Sequence, residues 1–191
     1  CTLLIEAMAA ECASTALILH VHNVLALRTI VKHGSAAVQE AIVPEMISGD
    51  RIGAFALTES GAGSDPTRLR TTAIKDGENY VLSGAKTWVS NGGIAGVFIV
   101  FAATDPSAGA KGITAFVVPA EAEGVVIGGR EKTLGLRGTT INRLYLRGVR
   151  VPSDHVLGSE GGGYKLALET LDYGRVGISA AAVGLSRRVV E

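Results

Sequence analysis

From Thr2 to His33 the chain is rich in Ala, Leu and Ile and contains neither Pro nor Gly. Apolar residues recur every three to five positions, through Leu4, Met8 and Cys12 and then Leu17, Val21 and Val24. That spacing returns a side chain to the same face at each helical turn, so it predicts helix. Gly34 fits a helix stop and Ser35 an N-cap for the next segment, which Ser48-Gly49-Asp50 closes after an expected interruption at Pro44. At Ile52 the texture changes to short β-branched and aromatic runs. Thr71 to Lys75, then Asp76-Gly77, then Tyr80-Val81-Leu82 reads as a hairpin, because Asp-Gly supplies the tight turn between two strands. Further strands are expected at 97–103, 112–119, 125–127 and 143–149. With no helical period between them, an antiparallel, barrel-like sheet is expected. After Val151-Pro152 the helical pattern returns: Gly161-Gly162-Gly163 ends a loop, and 164–172 and then 175–190 are rich in Ala and Leu. The fold class is thus α+β: N-terminal helices (1–51), a central antiparallel β-barrel domain (52–157) and the truncated start of a C-terminal helical domain (158–191).

Composition narrows the function classes. At 47% hydrophobic and 19% charged residues, the chain has the make-up of a soluble globular protein with a core. Its formal charge is +0, and no run of Lys and Arg exceeds Arg187-Arg188, so it lacks the basic footprint that a nucleic-acid partner requires. Cys1 and Cys12 form neither a CxxC pair nor a ligand cluster, which argues against a disulfide framework and for a reducing compartment. The apolar stretch 16–27 is interrupted by His20, His22 and Asn23 and falls short of the roughly 18 uninterrupted residues of a spanning helix. It reads as a buried helix, and no membrane span is expected. No secretory signal is visible at Cys1, and the expectation is that the natural N-terminus lies upstream.

Candidate chemistry begins at 56–65, Ala-Leu-Thr-Glu-Ser-Gly-Ala-Gly-Ser-Asp, where a strand runs into a Gly-rich turn. Such a turn lets backbone N–H groups and small hydroxyls approach an anion closely. In isolation an ordinary surface turn fits equally well. It is not a dinucleotide fingerprint, since Gly61-x-Gly63-x-x-Pro66 lacks the third Gly, and Gly84-Ala85-Lys86-Thr87 fails the P-loop spacing. His20 and His22 suggest a metal site, but residues two apart on a helix point about 200° around the axis and cannot share one ion. Trp88 alone reads as barrel core, and Asp172 with Arg175 alone reads as an exposed helical ion pair.

Taken together, these segments carry a family likeness. The 56–65 run resembles the first signature of the acyl-CoA dehydrogenase family, and Lys86-Thr87-Trp88-Val89-Ser90-Asn91-Gly92 resembles the segment which that family lays against its flavin. Leu134-Gly135-Leu136-Arg137-Gly138-Thr139, Val151-Pro152 and Leu171-Asp172-Tyr173-Gly174-Arg175 are similar to further family runs, and the last looks most like short-chain (butyryl-CoA) members. Arg68 and Ser60 depart from the first signature, where a small residue and Pro are usual. The resemblance covers the middle of the family's subunit. It implies FAD held by Phe55, Leu57, Thr58, Gly63, Ser64, Trp88, Val89 and Ser90, with Gly63 and Ser64 at the pyrophosphate, Trp88 on the isoalloxazine and Ser90 toward N5 and O4. It also implies acyl-CoA contacts at Ser64, Asp172, Tyr173, Gly174 and Arg175.

The implied activity is α,β-dehydrogenation of an acyl-CoA thioester to the trans-2-enoyl-CoA, in fatty acid or amino acid catabolism. A Glu takes the α-proton and the β-hydrogen leaves as hydride to flavin N5. Electron-transfer flavoprotein would re-oxidise the flavin, the assembly would be a homotetramer, and the location the bacterial cytoplasm or the mitochondrial matrix. Some members place the basic Glu just before the Arg. That position is Gly174 here, so no catalytic residue is expected in this chain and the base is expected beyond Glu191. An acyl-CoA oxidase or monooxygenase on the same fold, or a non-catalytic acyl-CoA or flavin binder, remain alternatives.

Overall fold

A computed structural model describes residues 1–191. The N-terminal part is helical: α1 (Thr2–Glu11), α2 (Ala13–His20), a π-helical stretch (Val21–Leu27) continuing into α3 (Arg28–His33), and α4 (Ala36–Ser48). Cys12 is extended and separates α1 from α2. The buried face is Ile5, Ala9, Ala16, Val21, Ala26 and Ile30, whereas Leu4 and Cys12 of the expected stripe are exposed. The Ser35 hydroxyl caps α4 by accepting from Val38 N at 3.2 Å, and Gly49 ends it in the left-handed region at φ 89°. Pro44 does not interrupt α4. It and Glu40, whose carbonyl loses its helical donor, are both exposed, so water can take the lost bond.

Eight strands follow: β1 (Ile52–Ala56), β2 (Thr72–Asp76), β3 (Asn79–Ser90), β4 (Ala95–Ala103), β5 (Ile113–Pro119), β6 (Val125–Arg130), β7 (Ile141–Pro152) and β8 (Val156–Leu157). The expected hairpin is present, with Asp76 opposite Asn79 and Gly77 at φ 60° in the turn. The expected barrel is not. The strands form one sheet in the order β6-β7-β3-β2-β4-β5-β8, with β1 added on β4, and the end strands β6 and β8 do not pair to close it. Nor is the sheet wholly antiparallel, because β1 and β2 both run parallel to β4.

Strand β4 explains its own sequence. Val97, Ile99 and Phe101 join the core beneath the helices, while Phe98, Val100 and Ala102 join a second core with β3 and β7. Both faces are buried, so the strand is a continuous apolar run and not an alternating one.

The last helix, α5 (Gly163–Val190), is a single 28-residue element running straight through 173–174, where two segments were expected. Its buried face carries Gly174, Gly177, Ala180 and Gly184, spaced three or four apart on one side. A β-carbon on Gly177 would stand 2.4 Å from the His20 ring, and one on Gly184 would stand 2.0 Å from the Glu6 carbonyl oxygen. Small residues thus let α5 lie against α1 and α2 nearly backbone to backbone. The continuous helix Ala13–His33 has the length and hydropathy (1.3) of a membrane-crossing helix, but here it packs between β1 and α5.

Candidate functional site

Strand β1 delivers the 56–65 loop to the edge of the sheet, and a buried ion pair holds it there. Lys86 on β3 has a fully buried side chain whose ammonium donates to Glu59 Oε1 at 2.7 Å and to the Leu57 carbonyl at 3.2 Å. Glu59 in turn accepts from the backbone N–H groups of Arg70 (2.7 Å) and Thr71 (3.0 Å). Burial pushes the Lys86 ammonium down to about 8 despite the adjacent carboxylate. For Glu59 burial acts upward, but the Lys86 charge and its hydrogen bonds outweigh it and hold the carboxyl below its ordinary range. The loop closes on itself through reciprocal Glu59–Ala62 backbone bonds at 3.1 Å, and Thr87 N donates to the Thr58 carbonyl at 2.9 Å. Thr58 is therefore fixed beside the 86–90 segment.

That segment is strained. The β3–β7 register skips between Lys86 and Val89, and Trp88 sits in the bulge at φ 57°. A bulky side chain in the left-handed region costs on the order of 1–3 kcal/mol and persists only when its surroundings impose it. The bulge turns Trp88 outward, 56% exposed, while Val89 points into the core. Asn91, also left-handed (φ 65°) and fully buried, donates to the Ile18 carbonyl at 3.0 Å and the Gly53 carbonyl at 3.2 Å, tying the end of β3 to α2 and β1.

Two cavities adjoin this frame. The smaller, about 250 Å³, is lined by Phe55, Leu57, Thr58, Gly63 and Ser64 from the loop side and by Arg175 from α5. The larger, about 470 Å³ and mostly apolar, lies between α2 and α5 and is lined by Leu17, His20, Leu25, Ser90, Gly174 and Arg175 among others. Leu171 and Arg175 border both. Arg175 donates to Asp172 at 2.5 Å in an exposed pair, and the Arg28 guanidinium lies 3.4 Å from the Tyr173 ring centroid.

Comparison with known proteins converges on one family. Residues 1–50 match the N-terminal domain of acyl-CoA dehydrogenases and residues 54–149 match their middle domain. The chain belongs to the acyl-CoA dehydrogenase family. It is 42% identical over 97% of its length to human mitochondrial short-chain specific acyl-CoA dehydrogenase, covering 45% of that protein. Among solved structures, butyryl-CoA dehydrogenase from Megasphaera elsdenii superposes with a TM-score of 0.94 at 37% identity, over 96% of this chain and 48% of that one. The prolyl acyl carrier protein oxidase AnaB superposes with a TM-score of 0.86 at 34% identity, over 98% of this chain and 47% of that one. The chain thus spans about half the length of the relatives it matches.

FAD is this chain's cofactor, in keeping with its 35% identity to a solved FAD-dependent dehydrogenase. The residues present suit it: a strained, outward-turned indole for a flat ring, a Gly-rich loop with open space at Gly63, and a preformed cavity beside Thr58 and Ser64. Of the sequence-predicted residues, the smaller cavity gathers Phe55, Leu57, Thr58, Gly63, Ser64 and Arg175, and the larger gathers Ser90, Gly174 and Arg175. Trp88 stands on the bulge, Val89 can offer a ligand only its backbone, and Asp172 and Tyr173 line neither cavity. Sequence reasoning assigned no role to Lys86, Glu59, Asn91 or His20. Opposite charges, Glu59 inside the first motif and Lys86 at the head of the second, were the only available signal for that pair.

His20 and His22 turn to different neighbours. His22 Nδ1 accepts from Gly53 N at 3.0 Å while Nε2 faces the Met46 carbonyl at 3.0 Å, so the ring bridges β1 and α4 as a neutral imidazole. Burial lowers the pKa of both histidines.

Proposed function

We propose that the complete protein carrying this chain catalyses FAD-dependent α,β-dehydrogenation of a short acyl-CoA thioester to the trans-2-enoyl-CoA. The observation that carries this reading is the meeting of the two cavities at Arg175 and Leu171. Residues suited to hold a flavin lie on one side, and an apolar slot suited to an acyl chain lies on the other. Bound FAD supplies a two-electron acceptor for the β-hydrogen. Thr58, Ser64 and Ser90 offer hydroxyls and backbone donors where negative charge accumulates, and Trp88 shields the ring from water. That Ser90 borders the apolar cavity between α2 and α5 supports seating the acyl chain there. Arg175 holds a fixed positive charge beside the thioester. Gly174 offers no carboxylate, so in this reading the base is a Glu beyond residue 191.

In the same reading 1–51 closes an N-terminal helical domain, 52–157 is the FAD-binding middle domain and 158–191 opens a C-terminal helical domain. Asp172 and Tyr173 meet the CoA moiety, electron-transfer flavoprotein takes the electrons, and the subunits form a homotetramer in the bacterial cytoplasm or mitochondrial matrix. The complete protein should purify yellow, bleach anaerobically with butyryl-CoA and recover its colour with electron-transfer flavoprotein. A colourless protein that cannot be reconstituted with FAD would overturn the reading. The likeness to a carrier-protein oxidase supports a second reading, in which oxygen is the acceptor. Recovery of colour by air as fast as by electron-transfer flavoprotein would favour it.

A further inference from the structure

The larger cavity contains one polar side chain that neither the fold nor the proposed chemistry uses. His20 is 2% exposed, yet its Nδ1 is sealed from solvent without a hydrogen-bond partner. Nearby polar groups are engaged: Ser179 Oγ donates to the Arg175 carbonyl at 2.9 Å, and Arg175 to Asp172. A buried imidazole set among Leu17, Val21, Leu25 and Ile178 costs free energy that a Leu would not. The site is nevertheless built for it. Gly177 alone leaves room for the ring, since a β-carbon there would stand 2.4 Å from Nδ1.

That seat also selects the tautomer. A sealed N–H without a partner costs more than a sealed bare acceptor, so the proton belongs on Nε2. Nε2 is the edge nearer Gly174, 3.9 Å from where a β-carbon would stand, and Gly174 lines the cavity.

We propose that His20 is a specificity residue whose Nε2–H is presented to the acyl end of the cavity, favouring thioesters that carry a neutral oxygen, a hydroxyl or ketone, beyond the reacting carbons. This rests on the acyl-CoA reading above. A neutral acceptor fits better than a carboxylate, because burial keeps His20 uncharged near neutrality. A cavity of about 470 Å³ has room for such a chain beside the imidazole.

The test uses the complete FAD-loaded protein and three length-matched substrates: a plain acyl-CoA, its analogue hydroxylated near the distal end, and a dicarboxylic monothioester. Bleaching by any acyl-CoA tests the functional reading by itself. Given bleaching, wild type should accept the hydroxylated substrate at least as well as the plain one. His20→Leu should lower the hydroxylated-to-plain ratio of kcat/KM about tenfold, and His20→Gln, which keeps a donor, should restore part of it. Three outcomes overturn the inference. One is a ratio unmoved in His20→Leu because both substrates lose equally, as a purely structural role would give. Another is a change in the dicarboxylic ratio alone. Should His20→Leu not fold, a wild-type preference of tenfold or more for the plain chain decides against it.

Discussion

The 56–65 loop and the 172–175 turn of α5 border the same cavity, and each carries an ion pair, but the pairs are opposites. Lys86 and Glu59 have side chains 0% and 8% exposed and use their remaining hydrogen-bonding capacity on the backbone of Leu57, Arg70 and Thr71. Arg175 and Asp172 are 73% and 67% exposed and hold only each other. Removing one partner of a buried pair strands a charge, whereas removing one partner of a surface pair hands the other to water. The loop side is therefore fixed before any ligand arrives, while the α5 side is free to exchange partners.

The largest effect expected from this contrast is that of Lys86→Met, which leaves Glu59 buried and unpaired. It should cost about 3–5 kcal/mol in urea unfolding and release FAD from the complete protein. The cost should depend on pH. The folded-state pKa of Glu59 is depressed, so its stabilisation is present above the unfolded carboxylate pKa and is lost as pH falls through the lower folded value. The difference between Lys86→Met and its parent should thus be full at neutrality and shrink in acid. Equal urea midpoints at pH 7 would show that the pair does not anchor the loop.

Next in size is Arg175→Ala. It should lower kcat/KM on the best acyl-CoA by about one to two orders of magnitude while FAD content and urea midpoint stay put. Near-normal kcat/KM would reduce Arg175 to a solvated helix charge. The smallest effect sharpens the cofactor side. Trp88→Gly relieves the left-handed strain of a half-exposed residue and should stabilise the apoprotein by about 1 kcal/mol while weakening FAD binding. A destabilised apoprotein would mean that the indole is a packing residue.

Local chemistry made some of this legible in the sequence. Asp76-Gly77 declares its hairpin within four residues, and Ser35 and Gly49 declare the ends of α4. The open sheet was not legible, because strand alternation looks the same whether or not end strands meet, and the parallel partners of β4 lie far away in sequence. In α1 seven of the ten positions are apolar and they fall on every side, so periodicity could not choose between the Leu4 face and the Ile5 face. The residues proposed to hold the flavin came from motif likeness, but the buried pair behind them did not. Lys86 reads as any strand lysine until the fold brings Glu59 to it across 27 residues. The orphaned imidazole of His20 depends on a glycine of α5 that lies more than 150 positions downstream.

The small-residue face of α5 sets how far that helix can travel. Advancing α5 by one residue along its screw, about 1.5 Å and 100°, would bring Val183 or Leu185 where Gly184 now passes the Glu6 carbonyl, and rotation alone would drive Val176 or Ile178 toward the His20 ring. Neither motion has an intermediate stop, so α5 works as a keyed shaft with one seated position. Any displacement that carries Arg175 must carry α1 and α2 along with it.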